Sequence, residues 1–168
     1  ELGVIVAVPY LEIALVGKYV NIASRAAGFL TKRFDGRVLP LAQLGSAGDA
    51  LHQSLVDAQT AVATLFDERE FGKAVREIMA LADHVNAYTD TNKPWELAKH
   101  PEQAGQLHEV CSTLLRCFEL LTRQLAPILP ATAARVAAWL GVDAGTWAGP
   151  SRVERIGTYE HLMQRVDP

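Results

Sequence analysis

Four polar residues that could bind a ligand follow one another at helical spacing between positions 18 and 32. If each residue of an α-helix advances by about 100°, Lys18, Asn21, Arg25 and Lys32 fall, with Gly28, within a sector of roughly 80°. The opposite side carries the apolar residues Val16, Val20, Ala23, Ala27, Leu30 and Phe34. Such a helix buries most of its surface and presents cations and an amide outward, which suits a polyanion with readable edges such as nucleic acid.

The amide and the guanidinium on this face suggest recognition of bases. Asn21 and Arg25 lie one turn apart, and together they can form paired hydrogen bonds with a base edge, whereas lysine mainly neutralises phosphate. A plain solvated face would also explain the stripe, but a mid-helix asparagine is a poor helix former. Gly28 costs about 1 kcal/mol relative to alanine, which indicates close approach of either a neighbouring helix backbone or a ligand.

A second candidate site is the turn Lys93-Pro94-Trp95. Trp95 follows a polar turn and a proline instead of continuing an apolar stripe. A tryptophan held there is a good platform for an unstacked base, an interaction worth about 1–3 kcal/mol. The alternative is a core tryptophan, which is the prediction for Trp139 in its alanine-rich helix. Trp147 lies among glycines and receives no role.

The sequence shows no residue set suited to catalysis or metal binding. It has no glycine-rich phosphate loop, no Gly-x-Ser-x-Gly elbow and no convincing nucleophile–base set. The histidines lack ligand spacing, so a surface or capping position is predicted for all five: His52, His84, His100, His108 and His161. Cys111 and Cys117 are predicted to be buried thiols in a reducing cytosol. We therefore expect no catalysis by this chain alone and no metal.

Charge and length narrow the possible partners. The chain has 168 residues and a formal net charge of −3, which fits one domain that is not globally basic. Any nucleic-acid role must rest on a local patch such as residues 18–37, where five charged residues are basic and one is acidic. The apolar run Leu2–Val8 is too short to span a bilayer and lacks the features of a signal peptide, so no membrane partner is expected. The start at Glu1 suggests a piece of a longer protein.

Helical periodicity dominates beyond the first residues. Pro9 is a possible helix start, and the first helix is predicted to run to about Phe34 and to stop at Asp35-Gly36. Further helices are predicted at Asp49–Phe66, Glu68–Tyr88, Pro94–Lys99, Pro101–Leu125 and Pro130–Leu140, with a loop at 36–47, an ordered tail at 142–158 and a last turn at Tyr159–Arg165. These elements predict an all-α, antiparallel helix bundle.

Three segments resemble one known family in order along the chain. Val20-Asn-Ile-Ala-Ser-Arg25 with Ala27-Gly-Phe-Leu-Thr-Lys-Arg-Phe34 resembles the first helix of the anticodon-binding domain of bacterial methionyl-tRNA synthetases. Tyr88-Thr-Asp-Thr-Asn-Lys-Pro-Trp95 is similar to the second marker of that family. Leu125-Ala-Pro-Ile-Leu-Pro-Ala-Thr-Ala133 resembles a segment shared more widely among class I synthetases. The resemblance covers about residue 15 to the C-terminus and divides the chain into an atypical apolar lead-in, 1–14, and a helical anticodon-binding domain, 15–168.

The resemblance implies a helix bundle of the class I anticodon-binding type that binds the anticodon loop of methionine tRNA, and it implies no contact with DNA. It assigns Asn21, Arg25 and Trp95 to the anticodon bases, chiefly the first, a cytosine. Lys18, Lys32 and Arg33 are expected to contact phosphates. The catalytic domain of the family, which uses ATP and carries a zinc-bearing insertion, is absent from the chain. It is the partner expected in cis, in a cytoplasmic enzyme.

Two other interpretations remain open at this point. The chain resembles class I domains generally in its last segment, so the equivalent domain of another class I synthetase is one alternative. A helical module that binds protein is the other, and it predicts negligible affinity for tRNA. A tRNA with a swapped anticodon decides the first alternative, and a Trp95 that is buried would rule out stacking on a base.

Overall fold

The computed structural model describes residues 15–158 and is built from seven α-helices. They are α1 Asn21–Arg33, α2 Gly45–Asp57, α3 Gln59–Asp67, α4 Phe71–Asn92, α5 Pro94–Leu97, α6 Ala104–Leu125 and α7 Pro130–Leu140. A π-helical segment, Leu15–Val20, leads into α1. The predicted lead-in with Pro9, the turn at 159–165 and His161 lie outside the described residues. Within the described range, no helix is long and apolar enough for a membrane span.

Side-chain contacts fix the direction of the helices. Lys18 pairs with Asp83 and Arg25 with Asp90, each across 65 positions, so α1 and α4 run parallel. The ring pairs Tyr19–Phe118 and Phe34–His108 pass in opposite order along α1 and α6, so these two helices run antiparallel. α6 is the central helix and packs against α1, α2, α4 and α7. The predicted all-α antiparallel bundle is confirmed.

Several helix boundaries differ from those expected. α2 begins at Gly45, within the predicted loop 36–47, and α4 begins at Phe71 instead of Glu68. The predicted helix Asp49–Phe66 is divided at Ala58 into α2 and α3. The side chain of Gln59, next to the break, exchanges two hydrogen bonds with the backbone of Gly149, at 2.9 and 2.8 Å. This tertiary contact has no counterpart in the local sequence pattern. The helix predicted to end at Tyr88 continues to Asn92, because Lys93 adopts the left-handed conformation that closes it.

The core is formed by the apolar faces that the periodicity indicates. Tyr19 is buried against Phe118, with ring centroids 4.5 Å apart, and its hydroxyl bonds to Thr122. The two cysteines are buried and unpaired. Burial raises the pKa of Cys111 to about 12 and raises the pKa of Cys117 as well. The prediction of two buried thiols is confirmed.

Gly36 ends α1 and joins it to the tail. Its φ of +73° is the left-handed conformation that glycine adopts most readily. A Cβ atom there would lie 2.6 Å from the carbonyl oxygen of Ile156, which a side chain cannot tolerate. The glycine stop predicted from the sequence is confirmed, and the tail is ordered over the bundle as expected, with Val153 and Ile156 buried.

The tail is held by charged groups buried inside the protein. The Glu119 carboxylate of α6 accepts the Arg152 N–H at 2.8 Å and pairs with Arg123 at 3.3 Å. Arg123 also donates to the carbonyl oxygen of Gly149 at 3.0 Å. Arg116 donates to the Leu39 carbonyl oxygen at 2.7 Å. This buried charge network was not predicted, because a charged residue on a helix is normally taken to face solvent.

His52 belongs to the same interior, which makes its predicted surface position wrong. Only 3% of the residue is exposed, and Nε2 accepts a hydrogen bond from the Ser151 N–H at 3.1 Å. Burial is the largest cause that lowers its pKa, followed by the positive charge of Arg116, with Arg123 adding to the effect and Asp49 opposing it. His84 and His100 are exposed as expected, and His108 is half-buried against Phe34.

The depressed pKa of His52 predicts weaker folding at mildly acidic pH. The unfolded chain binds a proton near pH 6.5 and the folded chain only at lower pH, so unfolding is favoured as pH falls below about 6.5. We expect the free energy of unfolding to fall by up to about 1.4 kcal/mol per pH unit between pH 6.5 and 5.5. Urea unfolding at several pH values should show that the free energy of unfolding of His52→Gln depends less on pH than that of the wild type. His84→Gln, at an exposed position, should keep the pH dependence of the wild type. A wild-type midpoint that does not change across this range would contradict the prediction.

Candidate nucleic-acid interface

Trp95 projects outward from a turn that is anchored on both sides. Pro94 occupies the first position of α5 and is buried, and Leu97 is 8% exposed. Trp95 lies between these anchors and is 40% exposed, one of two large exposed hydrophobic residues in the described chain. Lys93, which precedes the turn, has φ +45°. The alternative of a buried core tryptophan is wrong, because the anchors leave the indole outside.

Arg25 reaches the indole from α1. Its guanidinium carbon lies 5.8 Å from the centroid of the Trp95 ring, within the range of a cation–π interaction. Nη1 also lies 3.4 Å from an Asp90 carboxylate oxygen. The two side chains, 70 positions apart in sequence, therefore meet on one exposed face. Asp90 orients the guanidinium and adds a negative charge beside it.

Asn21 lies one turn before Arg25, at the junction between the π-helical segment and α1. Its Nδ2 donates to the Gly17 carbonyl oxygen at 2.8 Å. Asn86 of α4 donates to the Lys18 carbonyl oxygen at 2.9 Å. Both asparagines thus donate to backbone carbonyl oxygens of the π-helical segment. Within the described part of the chain, one Nδ2–H and the side-chain amide oxygen of Asn21 have no other partner, while its main-chain oxygen accepts from the Ser24 hydroxyl.

The three expected phosphate contacts lie in different environments. Lys32 is exposed on the same face as Arg25. The Lys18 ammonium pairs with Asp83 at 3.0 Å. Arg33 donates to the Ala98 carbonyl oxygen at 2.8 Å and lies over the Phe29 ring. Lys18 and Arg33 thus have structural partners as well, and phosphate binding by all three stays a prediction.

Gly28 lies at an open position on the polar face of α1. A Cβ atom at this position would meet nothing within 4 Å among the residues that the structure describes. Close packing by a neighbouring helix, one of the two explanations offered by the sequence, is therefore wrong for this range. An open gap on the polar face of α1 remains, between Arg25 and Lys32.

The acidic partners on α4 were missed by the sequence analysis. Asp83 and Asp90 are seven positions apart, as are Lys18 and Arg25, and the constant offset of 65 is a signal that a search for matched spacings would have found. Asn86, between them, was missed because asparagine on a helix surface is common. No group of residues suited to hold a metal occurs in the described chain.

Together, Asn21, Arg25 and Trp95 form what we call the recognition cluster. It offers an amide that can donate and accept, a guanidinium that only donates and an exposed aromatic face. Within the described residues it is flanked by Lys32 and bounded by Asp90. An unstacked base fits this combination, because its flat face can stack and its edge can form hydrogen bonds.

Comparison with a family model matches residues 50–153 to the anticodon-binding domain of tRNA ligase. Among curated proteins, the methionine–tRNA ligase of Verminephrobacter eiseniae is 54% identical over 154 residues. That of Neisseria meningitidis serogroup A is 51% identical over 156 residues. The matches cover 92% and 91% of this chain, and each covers 22% of the relative. The chain thus spans about a fifth of the length of these relatives.

A solved structure has a similar fold. A crystal structure of the apo methionyl-tRNA synthetase of Mycobacterium tuberculosis superposes with a TM-score of 0.78 and 20% identity. The match covers 94% of this chain and 34% of that one. At this level of identity, the likeness supports the helical architecture.

Proposed function

Because the chain belongs to the anticodon-binding domains of tRNA ligases, in the form found in methionyl-tRNA synthetases, we propose that it binds the anticodon loop of methionine tRNA. The observation that carries this proposal is the contact between Arg25 and the exposed side chain of Trp95. Two groups suited to one unpaired base, from helices far apart in sequence, lie together on the surface.

Each member of the recognition cluster has a separate role in this proposal. Trp95 stacks on a base, and Arg25 and Asn21 form hydrogen bonds with base edges. A cytosine, the first base of the CAU anticodon, offers acceptors to the guanidinium and an amino group to the amide oxygen of Asn21. Lys18, Lys32 and Arg33 neutralise phosphates.

The same proposal implies the activity of the longer protein to which this domain belongs. It would activate methionine with ATP and transfer it to tRNA in the cytoplasm, through a catalytic domain in cis to this one. The methionine–tRNA ligases that match this chain are about four to five times its length, since each match covers 22% of the relative. In this view the domain described here positions tRNA by its anticodon and carries out no chemistry.

An exchange of anticodons tests the proposal. Fluorescence anisotropy would compare the 168-residue chain with two RNA stem–loops, identical except for a CAU or a swapped anticodon. We expect the CAU loop to bind at least about tenfold more tightly, since one lost base contact costs about 1–3 kcal/mol. Equal affinity for both loops would indicate another class I domain, and no affinity for either would favour a protein-binding module. Either result would overturn the proposal.

Lys32 gives a prediction that separates charge from base recognition. Because an exposed lysine neutralises phosphate without contacting bases, Lys32→Gln should weaken both stem–loops by the same factor. The slope of log affinity against log salt should decrease by about 0.7, the value for one phosphate contact on a single strand. Arg76→Gln, an exposed substitution on α4 about 20 Å along the helix from Asp90, serves as the control and should change neither quantity. A selective loss of CAU binding would contradict the assignment.

A further inference from the structure

The connection between α1 and the tail holds two arginines opposite each other. The Val38 N–H donates to the Glu154 carbonyl oxygen, and the Ile156 N–H donates to that of Gly36, both at 2.9 Å. These bonds flank Arg37 and Arg155, which form an isolated antiparallel bridge. Such a non-hydrogen-bonded pair brings the Cα atoms to about 4.5 Å, with the two side chains on the same side. Both arginines are exposed.

Two like charges in this position are unfavourable for the folded protein. Directly opposed residues of the same charge repel each other across a strand pair. Asp35 relieves part of this repulsion, because its carboxylate lies 2.6 Å from an Arg155 nitrogen. Within residues 15–158, Arg37 has no ion pair. Two like charges face each other at this exposed bridge without an apolar contact that would compensate for their repulsion. Unfavourable arrangements of this kind concentrate at functional sites.

A row of residues on α1 leads from the recognition cluster toward this pair. Arg25, Gly28 and Lys32 follow one another at spacings of three and four, so they lie along one side of the helix. The rise from Arg25 to Lys32 is about 10 Å along the helix axis. The row passes from the Arg25 guanidinium over the open gap at Gly28 to the exposed ammonium of Lys32, and Asp35, three residues further along the chain, holds Arg155.

We propose that the RNA strand leaves the recognition cluster over Gly28 and that one of its backbone phosphates binds between Arg37 and Arg155. The inference rests on the proposed function and adds the direction of the strand and a second binding point. Gly28 has no side chain, so the sugar–phosphate backbone can approach the helix closely there. Two guanidinium groups side by side donate several charge-assisted hydrogen bonds to one phosphate.

Neutralising either arginine tests the phosphate site in the 168-residue chain. Arg37→Gln and Arg155→Gln should each weaken the CAU stem–loop by about three- to tenfold and reduce the salt slope by up to about 0.7. The preference for CAU over a swapped anticodon should not change, because phosphates carry no base identity. The matched control is Asp35→Asn, which breaks the ion pair with Arg155 and keeps both arginines. It should leave affinity unchanged or raise it.

Gly28→Ala tests the path independently of charge. Alanine in the middle of a helix should raise the melting temperature of the free chain by about 2–4 °C, since a Cβ atom meets no neighbour there. The same substitution should weaken RNA binding, because the methyl group occupies the gap that the strand crosses. A more stable chain with weaker binding is a combination that a damaged fold cannot produce.

The possible outcomes distinguish this inference from the proposed function. If wild-type protein prefers the CAU loop but Arg37→Gln and Arg155→Gln bind as wild type does, the strand path is wrong and the proposed function stands. If Asp35→Asn weakens binding as much as Arg155→Gln, the ion pair acts only through the fold and the phosphate site is wrong. If wild-type protein shows no preference among loops, both proposals fail.

Discussion

Replacing Arg25 with alanine is expected to weaken binding of the CAU stem–loop by about 1–3 kcal/mol and to relax discrimination at one anticodon base. Two losses combine in this substitution. The hydrogen bonds to a base edge disappear, and Trp95 loses the cation that packs 5.8 Å from its ring centroid. Binding measured with single-base variants of the anticodon would show which base loses its effect.

Trp95→Ala and the double variant complete this test. Trp95→Ala should cost about 1–3 kcal/mol through the lost stacking surface. Because the two side chains touch, their effects should not add, and the double variant should lose less than the sum. Arg76→Ala removes an exposed cation from the distant part of α4 and is expected to have little effect. Full retention of discrimination by Arg25→Ala would show that the cluster does not contact bases.

Replacing Glu119 with alanine is expected to destabilise the fold by about 3–5 kcal/mol. Its carboxylate is the negative member of the buried charge network, with 2% of the side chain exposed. Without it, Arg123 keeps a buried positive charge with no counter-charge, and the Arg152 N–H loses its acceptor. An unpaired buried charge costs more than the pair contributes. Urea unfolding followed by circular dichroism measures the difference.

An exposed acidic residue provides the control for this prediction. Glu77→Ala on α4 should change the free energy of unfolding by no more than about 0.5 kcal/mol. Removing both charges, as in Glu119→Leu with Arg123→Met, should cost less than Glu119→Ala alone, since neither charge is then left unpaired. A loss below about 1 kcal/mol for Glu119→Ala would show that water reaches the network.

The helices and the outward position of Trp95 were predictable because local rules decide them. A glycine stop after Phe34, and a proline that opens a turn between apolar anchors, act over a few residues. The recognition cluster followed from the resemblance and from spacing on α1. The contact between Arg25 and Trp95 depends on tertiary packing. The sequence could therefore indicate only that the two side chains must meet if they form one site.

The burial of Arg116, Glu119 and Arg123 was not predictable from α6 alone. Their helical positions are compatible with a solvated face, and it is the tail, about thirty residues later, that covers them. His52 was misplaced for the same reason, because its partner is the backbone of Ser151. Local periodicity shows which side of a helix is apolar, and it contains no information about which distant loop will cover the other side.

The central position of α6 has a consequence for synthesis on the ribosome. Both halves of the recognition cluster, from α1 and α5, have been translated by residue 97, but the helix against which α1 and α4 pack ends only at Leu125. When translation has reached position 100, all three residues of the recognition cluster are present, but α6, the scaffold on which α1 and α4 pack, is not. The recognition cluster can therefore assemble only after translation has passed the end of α6 at Leu125.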